Sequence, residues 1–466
     1  MRRSLVALAA ALSLAATSIG MVAAAPSDKQ IHINVALNVD ISGGVLAELG
    51  SYGRVIDTIE SIDAVTMKVR SSKLEAIRAL PFVAGASPDA ERTARPIDPI
   101  PVADFSAGLN TWDLDAVNVT DFGVGRTEAF DGAGVYVAVL DTGLVSTWRW
   151  YFPEERIATQ FGAAFGGGGM EQGNVSMQPN KWERDTHTHG THVTSTVIGY
   201  SLGGTPINGV APNAAVIPVK VLNQNGSGWS STVAAGITYV ADLKNSGALG
   251  TSPVVINMSL GGPELDTVEQ VALDYAIASG VIVVASAGNA GEAGMGFPGA
   301  YPPVISAGAS GWVGEWTDAA GAPFVTNWWV GKDVADPTDP DDFYITTFSS
   351  RELAGQELDV VAPGSWVVGP FQLQRGQPSY FFLGGTSMAS PHVAGIAALL
   401  VQKNGGLAQA QVEAALTGSA IPLDPGCRSI FNPNAFAFVD VCWGADATGA
   451  GLATADAALS AVAPGP

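Results

Sequence analysis

Four polar residues of this chain stand at the borders of apolar runs, each close to glycine or another small residue: Asp141 in VYVAVLDTG, His189 in HTHGTHVTST, Asn289 in VIVVASAGNAG and Ser387 in GGTSMASPHVAG. Singly, each has an ordinary reading. Ser387 fits a helix N-cap, Asn289 beside glycine fits a turn, and the aspartate of DTG fits a loop. His187, His189 and His192 raise the question of a metal, since His189 and His192 share a helical face. No suitably spaced carboxylate or cysteine accompanies them, and HExxH is absent. Together the four meet a more demanding requirement. Acyl transfer to water needs an activated hydroxyl, a base, a group that fixes the tautomer of the base, and donors for the oxyanion. Ser387, His189, Asp141 and Asn289 supply one of each.

Such a constellation needs a scaffold. From about residue 110 the runs GVYVAVLD, AAVIPVKVL, PVVINMSLG and GVIVVASAG are almost continuously hydrophobic, as strands buried on both faces are. Helical stretches (THVTSTVIGY, TVAAGITYVADLKN, TVEQVALDYAIAS) lie between them. That alternation predicts an α/β fold with an open, mostly parallel sheet flanked by helices, its chemistry gathered past the carboxyl ends of strands. The helix PHVAGIAALLVQ is expected to begin just after Ser387, so that Pro391 falls where a helix tolerates it. Residues 31–95 form a separate small α/β unit of alternating strands and helices. Pro96, Pro99 and Pro101 follow and predict a linker without regular structure. Phe161 to Asp185 is glycine-rich and reads as a surface loop. Gly311 to Asp342 carries four tryptophans and an acidic tail, and reads as a hairpin against the body or a flap facing a ligand.

Composition narrows the partners. Lysine plus arginine number 22 against 43 aspartates and glutamates, a formal charge of −21, which argues against nucleic acid and anionic membrane surfaces. Residues 1–25 pair Arg2 and Arg3 with an apolar run and small residues near Ala24, the pattern of a secretory signal. No later segment reaches spanning length. Cys427 and Cys442 are the two cysteines; in an exported protein they predict one disulfide, with two buried thiols as the alternative.

At this point VAVLDTG, HGTHV, NMSLGG, ASAGN and GTSMASPHVAG, in that order, resemble the subtilisin-like serine peptidases (subtilases) over roughly residues 110–457. The resemblance implies a secreted endopeptidase made as a zymogen and expected to be a monomer. Its parts would be a signal peptide (1–25), an inhibitory pro-domain (26–95), a processing linker (96–109), a catalytic domain (110–457) and a C-terminal tail (458–466). It implies that Asp141 orients the base His189, that Ser387 is the nucleophile, and that Asn289 serves the oxyanion. Ser259, Leu260 and Gly261 would hold an extended peptide or protein substrate, and the pro-domain would inhibit by occupying the same cleft. No cofactor is implied for catalysis. Calcium enters only as a structural ion: GGTPINGVAP, where the family carries a calcium loop, offers Asn208 alone, and DPTDPDD is the other candidate, so metal ligands stay unassigned. Thr194 and Ser195 depart from the family's alanine and glycine, adding bulk behind His189. Met388, beside the nucleophile, is the residue expected to suffer oxidation.

Overall fold

The structure, a computed structural model, describes residues 28–102, 111–123, 125–318, 320–323, 333–371 and 377–465. The expected signal peptide, linker residues 103–109, and Trp328 and Trp329 lie outside the described residues.

The first unit is a four-stranded antiparallel sheet. Its strands are β1 (Gln30–Leu37), β2 (Gly53–Ile59), β3 (Ala64–Arg70) and β4 (Val83–Pro88), in the order β2-β3-β1-β4, with helices α1 (Gly43–Gly50) and α2 (Leu74–Arg78) in the connections. Val35, Val65, Met67 and Ile77 are fully buried in its own core. Two further strands then lead away, β5 (Glu91–Thr93) and β6 (Ile97–Pro101). The prolines of β6 were expected to exclude regular structure. They are tolerated because β6 is an edge strand, where a missing N–H costs no ladder bond.

The remainder is built on a mixed sheet. After helix α3 (Trp112–Ala116) come β7 (Tyr136–Asp141), β8 (Ala163–Phe165), β9 (Met177–Gln178) and α4 (His189–Ile198). The hairpin β10 (Tyr200–Leu202)/β11 (Thr205–Ile207) runs into the GGTPINGVAP stretch. Next are β12 (Ala215–Lys220), β13 (Ser227–Trp229), α5 (Ser230–Asn245), β14 (Val254–Met258), α6 (Thr267–Ala278), β15 (Ile282–Ser286) and β16 (Ile305–Trp312). Strands β8, β12, β7, β14, β15 and β16 are neighbours in that order and parallel, extended at the far side by β18 (Val360–Pro363). Two short strands, β9 and β17 (Phe343–Ile345), pair antiparallel at the margins. The 161–185 segment is therefore more than a surface loop, because Ala163–Phe165 is a buried strand of the main sheet, paired on both sides.

Strand β7 is flanked by β12 on one side and β14 on the other, so the chain reverses its direction of winding around it. Crevices at such points open at the carboxyl ends of strands. Strands β19 (Val367–Pro370) and β20 (Tyr380–Gly384) pair with each other, and β6 joins them on the outer side of β20. The long helix α7 (Thr386–Lys403) follows, buried from Thr386 through Val401, and α8 (Gln409–Ser419) comes after it.

Trp312 and Trp316 of the tryptophan-rich stretch are core residues. Trp312 stacks on Trp112, and Trp316 meets Phe382 edge-on with ring centres 5.0 Å apart. The hairpin β21 (Gly426–Asn432)/β22 (Ala437–Trp443) carries the Cys427–Cys442 disulfide as a cross-strand pair. The division at 457/458 cuts the last helix, α9 (Ala455–Ser460). Leu459 and Val462 are buried, so 458–465 is the end of the fold and not a tail. Among the described residues no helix is long and apolar enough to cross a membrane.

Candidate active site

Strand β7 delivers Asp141 as its last residue, fully buried, with both carboxylate oxygens 2.9 Å from His189 Nδ1. The Thr142 N–H donates to Oδ1 at 2.6 Å. A nitrogen facing a carboxylate carries the proton, which leaves Nε2 of His189 as the basic atom. That atom is buried and has no hydrogen-bond partner among the described residues. His189 is the first residue of α4, and Asp185 builds the turn before it by accepting from the His187 and Thr188 N–H groups, each at 2.9 Å.

Ser387 is the second residue of α7, whose N-cap is Gly385 at φ 145°. The serine caps nothing; its hydroxyl donates to the Ser259 carbonyl at 3.1 Å. The helix starts at Thr386, earlier than expected, so Pro391 lies inside it. A proline there withholds the N–H that the carbonyl four residues earlier would accept. That carbonyl is Ser387's, and the Ser259 hydroxyl donates to it at 2.8 Å instead. Ser259, expected only as a peptide rail, is thus bonded to Ser387 in both directions. Asn289 lies three residues beyond β15. Its Oδ1 accepts from the Thr386 N–H and hydroxyl, both at 2.9 Å. With the oxygen fixed by a backbone donor, the amide N–H₂ must face the other way. A Cβ on Gly385 would lie 3.5 Å from Asn289 Nδ2, so the amide nitrogen looks onto the start of α7.

A cleft runs past these groups, and the chain's own residues 91–101 lie in it. β5 pairs antiparallel with β13, while the N–H and carbonyl of Thr93 bond those of Gly261 at 2.9 and 3.0 Å. The Ala94 N–H donates to Gly226 O at 2.8 Å. Beyond Ser387, Ile97 lies opposite Gly384 in the β6–β20 pairing. The chain therefore passes Ser387 between Ala94 and Ile97. Beside it opens a cavity of about 520 Å³ bordered by Leu260, Gly261, Asn289, Met295 and Gly296, with Arg95 and Ser387 at its edge.

The sequence model of the Subtilase family matches residues 132–453. The chain belongs to the Subtilase family. Subtilisin DY of Bacillus licheniformis is 34% identical over 302 residues, covering 64% of this chain and 88% of the relative. The thermostable alkaline protease of Halalkalibacterium halodurans is 29% identical over 381 residues, covering 81% of this chain and 83% of the relative. The crystal structure of fervidolysin from Fervidobacterium pennivorans, a keratinolytic enzyme related to subtilisin, matches in fold with a TM-score of 0.65 at 24% identity. That match covers 94% of this chain and 62% of the fervidolysin chain. This subtilase is a serine-type endopeptidase whose reaction runs through an acyl-enzyme.

Several supporting residues of this subtilase escaped the sequence reading. Lys220, paired with Asp141 in the β12–β7 register, is buried and donates to the carbonyls of Thr142 and Leu222 at 2.6 and 2.7 Å. Burial lowers its pKa, and the carboxylates of Asp185 and Asp141 oppose that effect. Burial pushes Asp185 up to about 6 against the pull of Lys220. Nothing marked either residue in sequence, since a lysine ending an apolar run reads as a strand terminus. Of the three histidines, His187 and His192 are held neutral by burial, at about 4 and about 3. His192 sits against the Val367 carbonyl, 3.1 Å from its Nε2.

The bulk of Ser195 is accommodated opposite Gly369, where an added Cβ would lie 2.5 Å from Ser195 Oγ. Met388, beside Ser387, is fully buried. In the acidic run, Asp339 caps the N–H of Asp341, and Asp341 pairs with Arg428 of the hairpin at 2.8 Å. Among the described residues no group of three or more histidine, cysteine or carboxylate side chains is gathered for a metal.

Proposed function

We propose that Asp141, His189 and Ser387 are the catalytic triad of this endopeptidase and that Asn289, with the Ser387 backbone N–H, stabilises the oxyanion. The observation that carries the reading is the fully buried Asp141–His189 contact, which leaves Nε2 as the basic atom. Rotation of the Ser387 hydroxyl away from the Ser259 carbonyl brings its proton to Nε2 as Oγ attacks the scissile carbonyl. The Asn289 amide meets the oxygen as it becomes negative, a group aimed before the charge appears. His189 then protonates the leaving amine, and water repeats the attack on the acyl-enzyme. Ser259, Leu260 and Gly261 hold the extended substrate by strand addition, as Gly261 holds Thr93.

Residues 26–95 act as an inhibitory pro-domain and 96–109 as the processing linker of a secreted, monomeric zymogen. What supports this is the path of residues 91–101 through the cleft in the direction of a substrate. Asp89 strengthens the docking. Its carboxylate accepts from the Ser231 N–H at 3.0 Å, supplying a first-turn N–H of α5 with a partner from the first unit. The chemistry proposed draws on no metal; calcium would enter only as a structural ion, and its ligands stay unassigned. The test compares wild type with Ser387→Ala for casein cleavage and for self-processing by intact mass, with and without EDTA. Both activities are expected to vanish in the variant, and EDTA is expected to alter stability alone. Equal processing and cleavage by the two proteins would overturn the assignment.

A further inference from the structure

Arg92 is fully buried, although it is the third residue before Arg95 on an extended segment crossing an open cleft. Its guanidinium meets Glu269, on the first turn of α6, as a two-pronged pair: Nε donates to Oε1 at 3.0 Å and Nη2 to Oε2 at 2.5 Å. Nη2 also donates to the Glu264 carbonyl at 2.8 Å, and Nη1 to the Glu91 carbonyl at 3.0 Å. Both side chains are wholly shielded from solvent. The space exists because residue 262 is glycine; a Cβ there would lie 2.8 Å from Arg92 Nη1 and 2.3 Å from the Glu91 carbonyl.

The register fixes what this place is. Thr93 is bonded to Gly261 and Ala94 to Gly226, and the chain reaches Ser387 directly afterwards. With the bond after Arg95 at the nucleophile, Arg92 is the fourth residue on its amino side. We propose that Glu269, with the Glu264 carbonyl and Gly262, forms a subsite selecting arginine four residues before the cleaved bond of substrates. The proposal rests on the triad reading for its register.

The chemistry favours arginine over its neighbours. Once the occupying segment leaves, the catalytic unit presents a carboxylate and a carbonyl here, both acceptors. Asp266, whose Oδ1 accepts from the Val268 and Glu269 N–H groups, stands beside them with a second negative charge. A leucine in this place offers the Glu269 carboxylate no donor. A lysine brings a point charge and cannot span both oxygens as the planar fork does.

The test uses the wild-type chain after its own processing and three peptides, acetyl-Arg-Thr-Ala-Phe-p-nitroanilide and its counterparts with leucine or lysine first. Phenylalanine is placed last because Leu260 and Met295 border the cavity beside Ser387. The arginine peptide is expected to exceed the leucine peptide in kcat/KM by roughly tenfold or more, the scale of hydrogen bonds to a charged group, with lysine between. Glu269→Leu should reverse that order, and Glu269→Gln should shrink the ratio. A wild-type ratio near one, or a ratio unchanged in either variant, would show that the ion pair serves only to seat the chain's own segment, and the proposal falls. If neither variant folds, the wild-type ratio decides alone. Failure of the triad reading is distinguishable, because cleavage would then persist in Ser387→Ala whatever the ratio.

Discussion

Gly369→Ala is a sharp probe of how α4 keeps His189 in place. In β19 the glycine faces α4, and the new methyl would lie 2.5 Å from Ser195 Oγ and 3.0 Å from both Cδ2 and Nε2 of His192. Ser195 cannot swing away cheaply, since its hydroxyl donates to the His192 carbonyl at 2.6 Å. His192 is equally fixed by the Val367 carbonyl. Overpacking of this kind costs about 1–3 kcal/mol, and losing the serine's bond adds about 1 kcal/mol if it rotates. A loss of about 2 kcal/mol should lower the thermal midpoint by only about 2 °C in a chain of this size, because the entropy of unfolding grows with length. The measurement belongs in a Ser387→Ala background, where self-digestion cannot intrude. Adding Ser195→Ala removes the worst contact but leaves the one with His192, so about half the loss should return. In active chains the single change should reduce kcat, because the displaced histidine lies one helical turn from His189. Unchanged stability in Gly369→Ala, or no coupling with Ser195→Ala, would refute the reasoning.

Two further outcomes follow from the site. The nitrogen after Arg95 belongs to Pro96, whose ring crowds the position where His189 must deliver a proton. Pro96→Ala should therefore yield a cut directly after Arg95, read by intact mass, and processing products identical to wild type would count against the register. Asp185, pushed up to about 6 by burial, titrates near 3.9 when unfolded. A raised carboxyl binds its proton more tightly in the fold, so its contribution is greatest below pH 4 and falls as pH rises toward 6, by about 3 kcal/mol. In Asp185→Asn that slope should disappear from urea unfolding measured between pH 4 and 7 in the inactive background. Equal slopes in the two proteins would contradict it.

The strands that carry the site were readable because each is an apolar run ending in the residue that matters. Asp141 closes β7, Ser259 follows β14, and Asn289 follows β15. Periodicity is a strong signal when strands are buried on both faces. What escaped the reading depends on contacts between distant segments. Pro391 looked like a marker of a helix start, whereas its lost hydrogen bond is replaced by Ser259, 128 residues earlier than Ser387. Glu269 drew no attention within its helix, and its partner Arg92 lies 177 residues away in sequence. The prolines of β6 misled for the same reason, since whether a strand lies at an edge is a property of its neighbours. Thr194 and Ser195 raised the prospect of a displaced histidine, and the glycine that makes room for Ser195 lies on β19.

The path of residues 91–101 has a consequence for kinetics. The segment is bound on both sides of Ser387, to β13 and Gly261 before it and to β20 after it. While the chain is uncut, its occupancy of the cleft is a unimolecular equilibrium, set by an effective local concentration on the order of millimolar and untouched by dilution. A single cut makes the amino-side half a separate molecule, and its hold then weakens as the protein spreads through a larger volume. Onset of activity should accordingly depend on protein concentration only after the first cleavage.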